Sequence, residues 1–157
     1  CNTLAASVFA DPTSDGYRLP TEAEWEFVAR DISYLQKDST VVVEAPELYS
    51  GSDRLDQVAW YSQNSSNRTH ISCEKNRNEM DVCDMTGNVF EWTGDWYEAD
   101  TSTFPNVNPI GPTFGQTKVL RGGSYQSSRN VLRNAFRYSN EPGYRSEQIG
   151  LRLVRGF

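Results

Sequence analysis

The ten residues Cys83–Trp92, with the sequence CDMTGNVFEW, constrain the fold more than any other segment. Asp84 and Glu91 supply two carboxylates, and the Thr-Gly-Asn step at 86–88 is a tight-turn signal in which glycine or asparagine can take a positive φ. Such a turn directs main-chain carbonyls inward, and carboxylates with carbonyls form the oxygen-only shell that Ca²⁺ prefers. Both acids could equally be solvated turn residues, and this segment alone does not choose between the two interpretations.

Length and composition predict a single domain over residues 1–157. A chain of 157 residues can bury roughly 68–70% of its unfolded surface, which is enough for a core. No run of 18 apolar residues is present, so the sequence predicts no membrane span. The net charge of −6 argues against a nucleic-acid partner, because phosphate binding needs a basic face.

One helix is clearly indicated near the beginning of the chain. Thr21–Glu24 is a capping box, in which the Thr hydroxyl accepts from the third helical N–H and the Glu side chain reaches back. Trp25, Val28 and Ala29 follow at a spacing that directs them to the core, and the helix is expected to end near Arg30 or Ile32.

Strand signals lie in two other regions. An insertion at 31–48 contains the β-branched run Thr40–Val43, which indicates one short strand. In the C-terminal third, Lys118–Arg121 reads as a strand, and Leu151–Leu153 is expected to alternate inward and outward.

Three cysteines and one histidine limit the redox and metal chemistry. Cys73 and Cys83 match no metal-ligand spacing, so they are either a disulfide pair of an exported protein or free thiols. The single histidine, His70, cannot build a histidine-rich iron or zinc site. Two glycosylation sequons, at Asn64 and Asn67, matter only in a cell that glycosylates exported asparagine.

Four sequence blocks occur in a specific order: Gly16–Arg30 (GYRLPTEAEWEFVAR), Cys83–Trp92, Arg121–Tyr125 (RGGSY) and Ile149–Arg155 (IGLRLVR). Together they cover the chain from about Tyr17 to Arg155, and they resemble the formylglycine-generating enzyme family, also called sulfatase-modifying-factor domains. The resemblance implies an irregular α+β fold that is a variant of the C-type lectin fold. Activity is a separate question, because one fold hosts many functions.

The resemblance also implies that the N-terminal part of the family domain is missing. The first residues, Cys1-Asn2-Thr3-Leu4, resemble the end of the family's early helix, and the family's opening strands are not found before them. A lipobox cysteine at a mature N-terminus is the alternative for Cys1, and it would imply a lipid anchor in the full-length protein.

For calcium, the resemblance and the residue types agree. The family holds one Ca²⁺ with an Asp or Asn side chain, two main-chain carbonyls and a Glu, and these positions match Asp84, Gly87, Val89 and Glu91. Two neighbouring carboxylates in a partly buried turn would repel unless a cation offsets them. A second family site is degraded around 58–60, where alanine replaces an asparagine ligand. We therefore expect one structural Ca²⁺.

Copper is not expected. Enzymes of this family oxidise a substrate cysteine with copper held by two thiolates, which follow the Gly-Gly-Ser-aromatic block. The aligned positions here are Ser127 and Leu132. Serine is a hard, poorly ionised donor and leucine is no donor, so the resemblance does not extend to the oxidase site.

The segment 125–148 has the composition of a binding surface. Tyr gives rigid contact area, Arg gives bidentate donors, and Ser and Asn give adaptable hydrogen bonds. In the family this region lines the ligand cleft, while some of its residues, Phe136 and Arg133 in particular, could be internal. The candidate ligand-binding residues are Tyr125, Gln126, Ser127, Ser128, Asn130, Leu132, Tyr138, Asn140, Tyr144, Ser146 and Glu147.

Some lectin-fold members of this family are variable proteins diversified by retroelements that mutate adenines in this stretch. Asparagine codons ending in a pyrimidine can become Tyr, Ser, Phe or Leu by such changes. The positions that fit are Tyr144, Ser146, Phe136 and Leu132. Codons for Gln and Glu need a purine third base, so Gln126, Glu147 and Gln148 do not fit without different template codons. Diversification is therefore a second hypothesis for the origin of this segment.

These observations lead to one functional hypothesis and one alternative. The chain is expected to be a non-catalytic ligand-binding domain, secreted or at the cell surface, with a protein or peptide ligand favoured over sugar. Glu141-Pro142 is followed by Gly143, so the sugar-binding Glu-Pro-Asn motif of lectins is not formed there. The alternative is a formylglycine-generating oxidase or a divergent enzyme of that family. The sequence leaves the oligomeric state open.

Overall fold

The computed structural model describes residues 16–30, 35–37, 40–42, 47–105 and 107–155. Its elements in chain order are β1 (Tyr17–Arg18), α1 (Glu22–Arg30), β2 (Leu35–Lys37), β3 (Thr40–Val42), α2 (Leu55–Val58), β4 (Phe90–Trp96), β5 (Lys118–Arg121), a 3₁₀ turn (Arg129–Leu132), β6 (Tyr138–Asn140), β7 (Ile149–Leu151) and β8 (Val154–Arg155). Short strands and helices joined by long irregular loops agree with the α+β class. The predictions for Cys1–Leu4 lie outside the described residues.

Helix α1 begins with the predicted capping box. The Thr21 hydroxyl accepts from the Glu24 main-chain N–H at 3.1 Å, and the Glu24 carboxylate accepts from the Thr21 N–H at 2.7 Å. Arg18 donates to both oxygens of the same carboxylate at 2.6 Å, and these hydrogen bonds lower the pKa of Glu24. Trp25 is buried against Met85 of the segment Cys83–Trp92, called the central motif below, so the helix face predicted from the spacing is confirmed.

The main sheet has four strands in the order β6-β5-β4-β7. β4 is antiparallel to β5 and parallel to β7, with Phe90 opposite Ile149, and β5 is antiparallel to β6. The register of β4 against β5 shifts between Trp92 and Trp96. Separately, β1 and β8 pair antiparallel, which joins the beginning and the end of the described chain. The four-strand order places β6 and β7 at the two edges.

Two buried clusters form the core of the described residues. One lies between α1 and the central motif, around Trp25 and Met85. The other joins α2 to the 3₁₀ turn and contains Tyr49, Leu55, Val58, Ala59, Tyr61 and Leu132. Each fully buried large apolar side chain contributes about 1.5–3 kcal/mol relative to exposure. The second cluster therefore fixes the start of the segment 125–148 to the body of the domain.

The structure corrects one strand prediction and makes a second one, which it confirms, more specific. The insertion at 31–48 contains two strands and not one, because β2 and β3 pair as an antiparallel hairpin. In the alternation at 151–153, the two leucines are the outward residues: Leu151 is 54% exposed and Leu153 is 47% exposed. Arg152 turns inward between them and pairs with Glu91. A buried carboxylate, and not the apolar core, sets the inward face here.

Asp95 ties the start of α1 to the long loop at 101–115. Its two carboxylate oxygens accept from the main-chain N–H groups of Glu22 and Gly111, both at 2.6 Å. Burial raises the pKa of Asp95. Burial also lowers the pKa of Lys118 to about 8, and its ammonium lies 3.9 Å from the centre of the Trp96 ring. The loop is thus anchored by the hydrogen bond from the Gly111 N–H to the buried Asp95 carboxylate.

No helix in these described ranges combines the length and the apolar character needed to cross a bilayer.

Arg121 is fully buried at the end of β5 and connects three parts of the chain. Its guanidinium donates to Glu22 at 2.5 Å and to Glu26 at 2.7 Å, both on α1, and to the Asn134 carbonyl at 2.6 Å. Glu22 also accepts two hydrogen bonds from Arg137, at 2.6 and 2.7 Å. Helix, sheet and C-terminal segment therefore meet at one buried cation.

We expect Arg121→Met to lower the free energy of unfolding by about 1–3 kcal/mol, because the buried Asn134 carbonyl loses its donor. Glu22 and Glu26 also lose the buried cation that they share, although each keeps a second arginine partner. Arg30→Met is the matched control. Arg30 pairs with the same Glu26 at 3.0 Å but on the helix surface, where a pair contributes at most about 1 kcal/mol. Urea denaturation of both variants measures the difference, and equal losses would contradict the central position given to Arg121.

Candidate functional site

The central motif is a turn that requires glycine at position 87. Asp84, Gly87 and Asn88 have φ values of 57°, 78° and 61°, all in the left-handed region. A Cβ added to Gly87 would lie 2.3 Å from the Trp60 carbonyl oxygen, so no side chain fits there. The Asn88 N–H donates to that same carbonyl at 2.8 Å. The turn is thus pressed against the segment that follows α2.

The side chain of Asn88 also holds the polar loop that precedes the motif. Its Oδ1 accepts from the His70 N–H at 3.0 Å, and its Nδ2 donates to the His70 carbonyl at 3.1 Å. The His70 ring stacks on Trp60 with 3.7 Å between the ring centres. His70 is therefore positioned as a packing residue of this loop.

The two carboxylates of the motif have different partners. Glu91 is buried, and it accepts from the Trp25 indole at 2.8 Å and from Arg152 at 2.7 and 3.0 Å. The Asp84 carboxylate accepts from the Cys73 main-chain N–H at 2.9 Å. Arg152 therefore already offsets the charge of Glu91, a partner that the turn motif alone did not indicate.

The donor types at this turn nevertheless fit calcium. To a bound Ca²⁺, Asp84 and Glu91 would contribute carboxylate oxygens and Gly87 and Val89 would contribute carbonyls, which are all oxygen donors. The left-handed residues within the turn provide the sharp change of chain direction that such a site needs. If an ion binds, Glu91 would be shared between it and Arg152.

Cys73 and Cys83 form a disulfide, which decides between the alternatives that the sequence leaves open. Their sulfur atoms and a carboxylate oxygen of Asp84 all lie within 4.8 Å of one another. Because each sulfur is bonded to the other, neither is the thiolate that a soft metal requires. The disulfide fixes the loop beside the acidic end of the motif.

The residues at the two copper-aligned positions do not fit copper. The Ser127 hydroxyl accepts from the Ser124 N–H at 2.9 Å and lies 3.2 Å from the Ser124 hydroxyl. Leu132 is buried in the core. A hydroxyl and an alkyl group provide no soft thiolate, so no step of a copper-dependent oxidation can be assigned to these residues.

Main-chain hydrogen bonds attach the segment 125–148 to the central motif. The Tyr125 N–H donates to the Asn88 carbonyl, and the Phe90 N–H donates to the Gln148 carbonyl, both at 2.8 Å. The Ser65 hydroxyl donates to the Tyr125 carbonyl at 2.8 Å. Both ends of the segment are thus held, and several of the residues between them line a cleft.

This cleft has a volume of about 280 Å³ and lies between β4, β6, β7 and the 3₁₀ turn. Phe90 forms part of its floor, with its ring centre 5.4 Å from that of Tyr138. None of the described residues that line the cleft carries a formal charge at neutral pH. The lining residues are Phe90, Ser127, Val131, Phe136, Tyr138, Asn140, Tyr144, Ser146, Gln148 and Ile149.

The structure separates the predicted ligand-binding residues into three groups. Five of them line the cleft: Ser127, Tyr138, Asn140, Tyr144 and Ser146. Four are exposed outside it: Gln126, Ser128, Asn130 and Glu147. Tyr125 and Leu132 are corrected, because they are only 5% and 1% exposed. Leu132 belongs to the core, where it packs with residues of α2 and cannot contact a ligand.

The residue-by-residue prediction did not include half of the cleft. Phe90 and Ile149 face each other across the β4–β7 pair, so each could have been found only from the sheet register. Phe136 was considered as an internal residue, and it is half-buried in the cleft wall. Val131 and Gln148 complete the lining.

Short helices, a four-stranded main sheet and a cleft between strands and loops define a small irregular α+β domain. The family model described as "Sulfatase-modifying factor enzyme 1-like domain" matches residues 2–157. The chain belongs to this family, and the resemblance found in the sequence is confirmed.

Three relatives illustrate the range of proteins that carry this domain. The formylglycine-generating enzyme of Streptomyces coelicolor is 34% identical over 88% of this chain and 46% of that protein. The serine/threonine-protein kinase pkn1 of Chlamydia caviae is 33% identical over 90% of this chain and 21% of that protein. The solved structure of Treponema denticola variable protein 1 is 34% identical over 91% of this chain and 49% of that chain, with a TM-score of 0.75.

The predicted fold is confirmed by this structural similarity. The chain spans about a fifth to a half of the length of these relatives. The activities after which they are named are therefore considered below only as proposals for this chain.

Proposed function

We propose that this domain is a non-catalytic binding module that takes a protein or peptide ligand at the cleft in the segment 125–148. The observation that carries the proposal is the uncharged, aromatic lining of the cleft. An apolar cleft with a few polar groups is the usual form of a ligand site in proteins.

The size of the cleft favours side chains of a larger ligand. Pockets for drug-sized molecules span roughly 300–1,000 Å³ and enclose most of the ligand. The present cleft, at about 280 Å³, is near the lower limit of that range and suits one or two side chains of a polypeptide. A charged ligand group would lose its hydration in this uncharged cleft without gaining an oppositely charged partner. An aromatic or aliphatic side chain is therefore the expected anchor.

The rim of the cleft has the residue types of protein-binding surfaces. Tyr138 and Tyr144 are 46% and 50% exposed, and tyrosine offers rigid contact area at low entropic cost. Asn140 and Ser146 add short hydrogen-bonding groups beside them. This combination supports a polypeptide ligand better than a carbohydrate.

A binding experiment tests the proposal with a displayed library of random linear peptides. Peptides enriched on the wild-type protein should carry an aromatic or aliphatic anchor. Their affinity should fall about tenfold or more in Tyr144→Ala, since loss of a central anchor costs at least about 1.4 kcal/mol. Phe114→Ala is the matched control, because Phe114 is 82% exposed but does not line the cleft. Peptides that bind both variants equally well would contradict the proposal.

The alternative is an oxidase that converts a substrate cysteine to formylglycine, as the name of the Streptomyces coelicolor relative suggests. The replacement of both expected thiolates, at Ser127 and Leu132, argues against it. Incubation with a Cys-x-Pro-x-Arg peptide and added copper discriminates the two functions. An aldehyde product detected by mass spectrometry would overturn the non-catalytic proposal.

The variable-protein hypothesis concerns the same segment and is supported by the similarity to Treponema denticola variable protein 1. Tyr144 and Ser146, which fit mutated asparagine codons, line the cleft, whereas Leu132 is buried in the core. Sequencing the surrounding locus tests the hypothesis. A neighbouring reverse transcriptase with a near-identical template repeat is expected, and a locus that contains neither would exclude it.

We propose that the domain is secreted or displayed at the cell surface. The Cys73–Cys83 disulfide supports this location, because disulfides persist mainly in oxidising compartments.

We further propose that Asp84, Glu91 and the Gly87 and Val89 carbonyls bind one structural Ca²⁺. The oxygen-only donor set and the left-handed turn support this site. Asp84 is the sharper probe of the two acids, because Glu91 also pairs with Arg152. The residues would hold the turn against the core, and no catalytic role follows for the ion.

Removal of calcium with a chelator should lower the melting temperature of the wild-type protein by roughly 5–10 °C. This range follows if the ion is present at about 100 times its Kd, which stabilises by about 2.7 kcal/mol. Asp84→Ala should melt at the same temperature with chelator and with excess calcium, because the ion is no longer held. A wild-type melting temperature that is unchanged between these two conditions would refute the site.

A further inference from the structure

Two glycosylation sequons lie three residues apart in the polar loop at 62–69. The sequence alone does not show which of the two asparagines can carry a glycan. The first is Asn64-Ser65-Ser66, and the second is Asn67-Arg68-Thr69. An oligosaccharide is attached to the amide nitrogen, so a folded protein can carry it only where that nitrogen faces open solvent. The surroundings of the two amides therefore decide which sequon is compatible with this fold.

Asn64 is held inside the loop by both ends of its amide. Its Oδ1 accepts from the Tyr61 N–H at 2.9 Å. Its Nδ2 donates to the Ala59 carbonyl at 3.0 Å and approaches Asp56 Oδ1 at 3.5 Å. The side chain is only partly exposed. A sugar on this nitrogen would replace one N–H and would need space that Ala59 and Asp56 occupy, so the modification competes with the fold.

Asn67 has the opposite arrangement. The residue is exposed, and its φ of 57° lies in the left-handed region. Its Oδ1 accepts from Gln126 Nε2 at 2.8 Å, which fixes the orientation of the amide. Within the described part of the chain, the Asn67 Nδ2 atom donates to no protein group. The remaining sequon residues, Arg68 and Thr69, are also exposed.

The same loop contains independent evidence for an exported protein. The Cys73–Cys83 disulfide begins four residues after Thr69. Disulfides form in the oxidising compartments of the export route, which also contain the asparagine-glycosylating transferases of cells that have them. One environment therefore accounts for both features of this loop.

We propose that Asn67 is an N-glycan acceptor in this fold and that Asn64 is not. In the transfer, Asn67 Nδ2 forms a bond to the first sugar carbon of a lipid-pyrophosphate-linked oligosaccharide. The bond from that carbon to the pyrophosphate oxygen breaks, the lipid pyrophosphate leaves, and the amide loses one proton. Oδ1 keeps both lone pairs, so the hydrogen bond from Gln126 survives the modification.

The experiment uses the full chain, secreted from a eukaryotic cell line, with two variants that remove one sequon each and leave both asparagines in place. Ser66→Ala removes the first sequon, and Thr69→Ala removes the second; both side chains are exposed. Intact mass before and after amidase digestion counts the glycans, and peptide mapping after digestion in heavy-oxygen water locates them.

The wild type and Ser66→Ala should each carry one glycan, on Asn67, and Thr69→Ala should carry none. Thermal melting of the three secreted proteins confirms that each is folded. A glycan on Asn64 of the folded protein, or a folded wild type without a glycan, would overturn the proposal.

Discussion

The buried guanidinium of Arg121 is the interaction on which the rest of the domain depends. A fully buried cation is costly to desolvate, so it persists only where acids and carbonyls surround it. Here Glu22 and Glu26 come from α1, and a carbonyl comes from Asn134 in the C-terminal segment. The short strands of this domain cannot supply a long hydrogen-bonded ladder, and a shared ion-pair network fixes the relative positions of helix, sheet and loops instead.

A second carboxylate performs a related task at the central motif. Glu91 lies on β4 and joins the Trp25 indole of α1 to the guanidinium of Arg152, close to the end of the described chain. The four sequence blocks that identify the family therefore also meet in space. Blocks that are far apart in sequence are therefore connected by direct contacts in the folded domain.

The parts predicted well from the sequence are those that depend on neighbouring residues. The capping box at Thr21 and the left-handed turn at Gly87 are local, and both occur as expected. The Glu91–Arg152 pair could not be predicted, because it needs the parallel pairing of two strands. The same limitation applies to the cleft, where Phe90 and Ile149 become neighbours only through that pairing. The burial of Leu132 was missed because an aligned position in a family site says nothing about packing in this chain.

The attachment of the segment 125–148 has a consequence for how this surface can evolve. Its ends are fixed through peptide groups, from Tyr125 to Asn88 and from Phe90 to Gln148. A peptide group is the same whichever side chain it carries, so substitutions along the rim leave these attachments intact. Exposed side chains on this surface can therefore be substituted while the backbone beneath them stays the same, and new binding specificities can arise without a new fold.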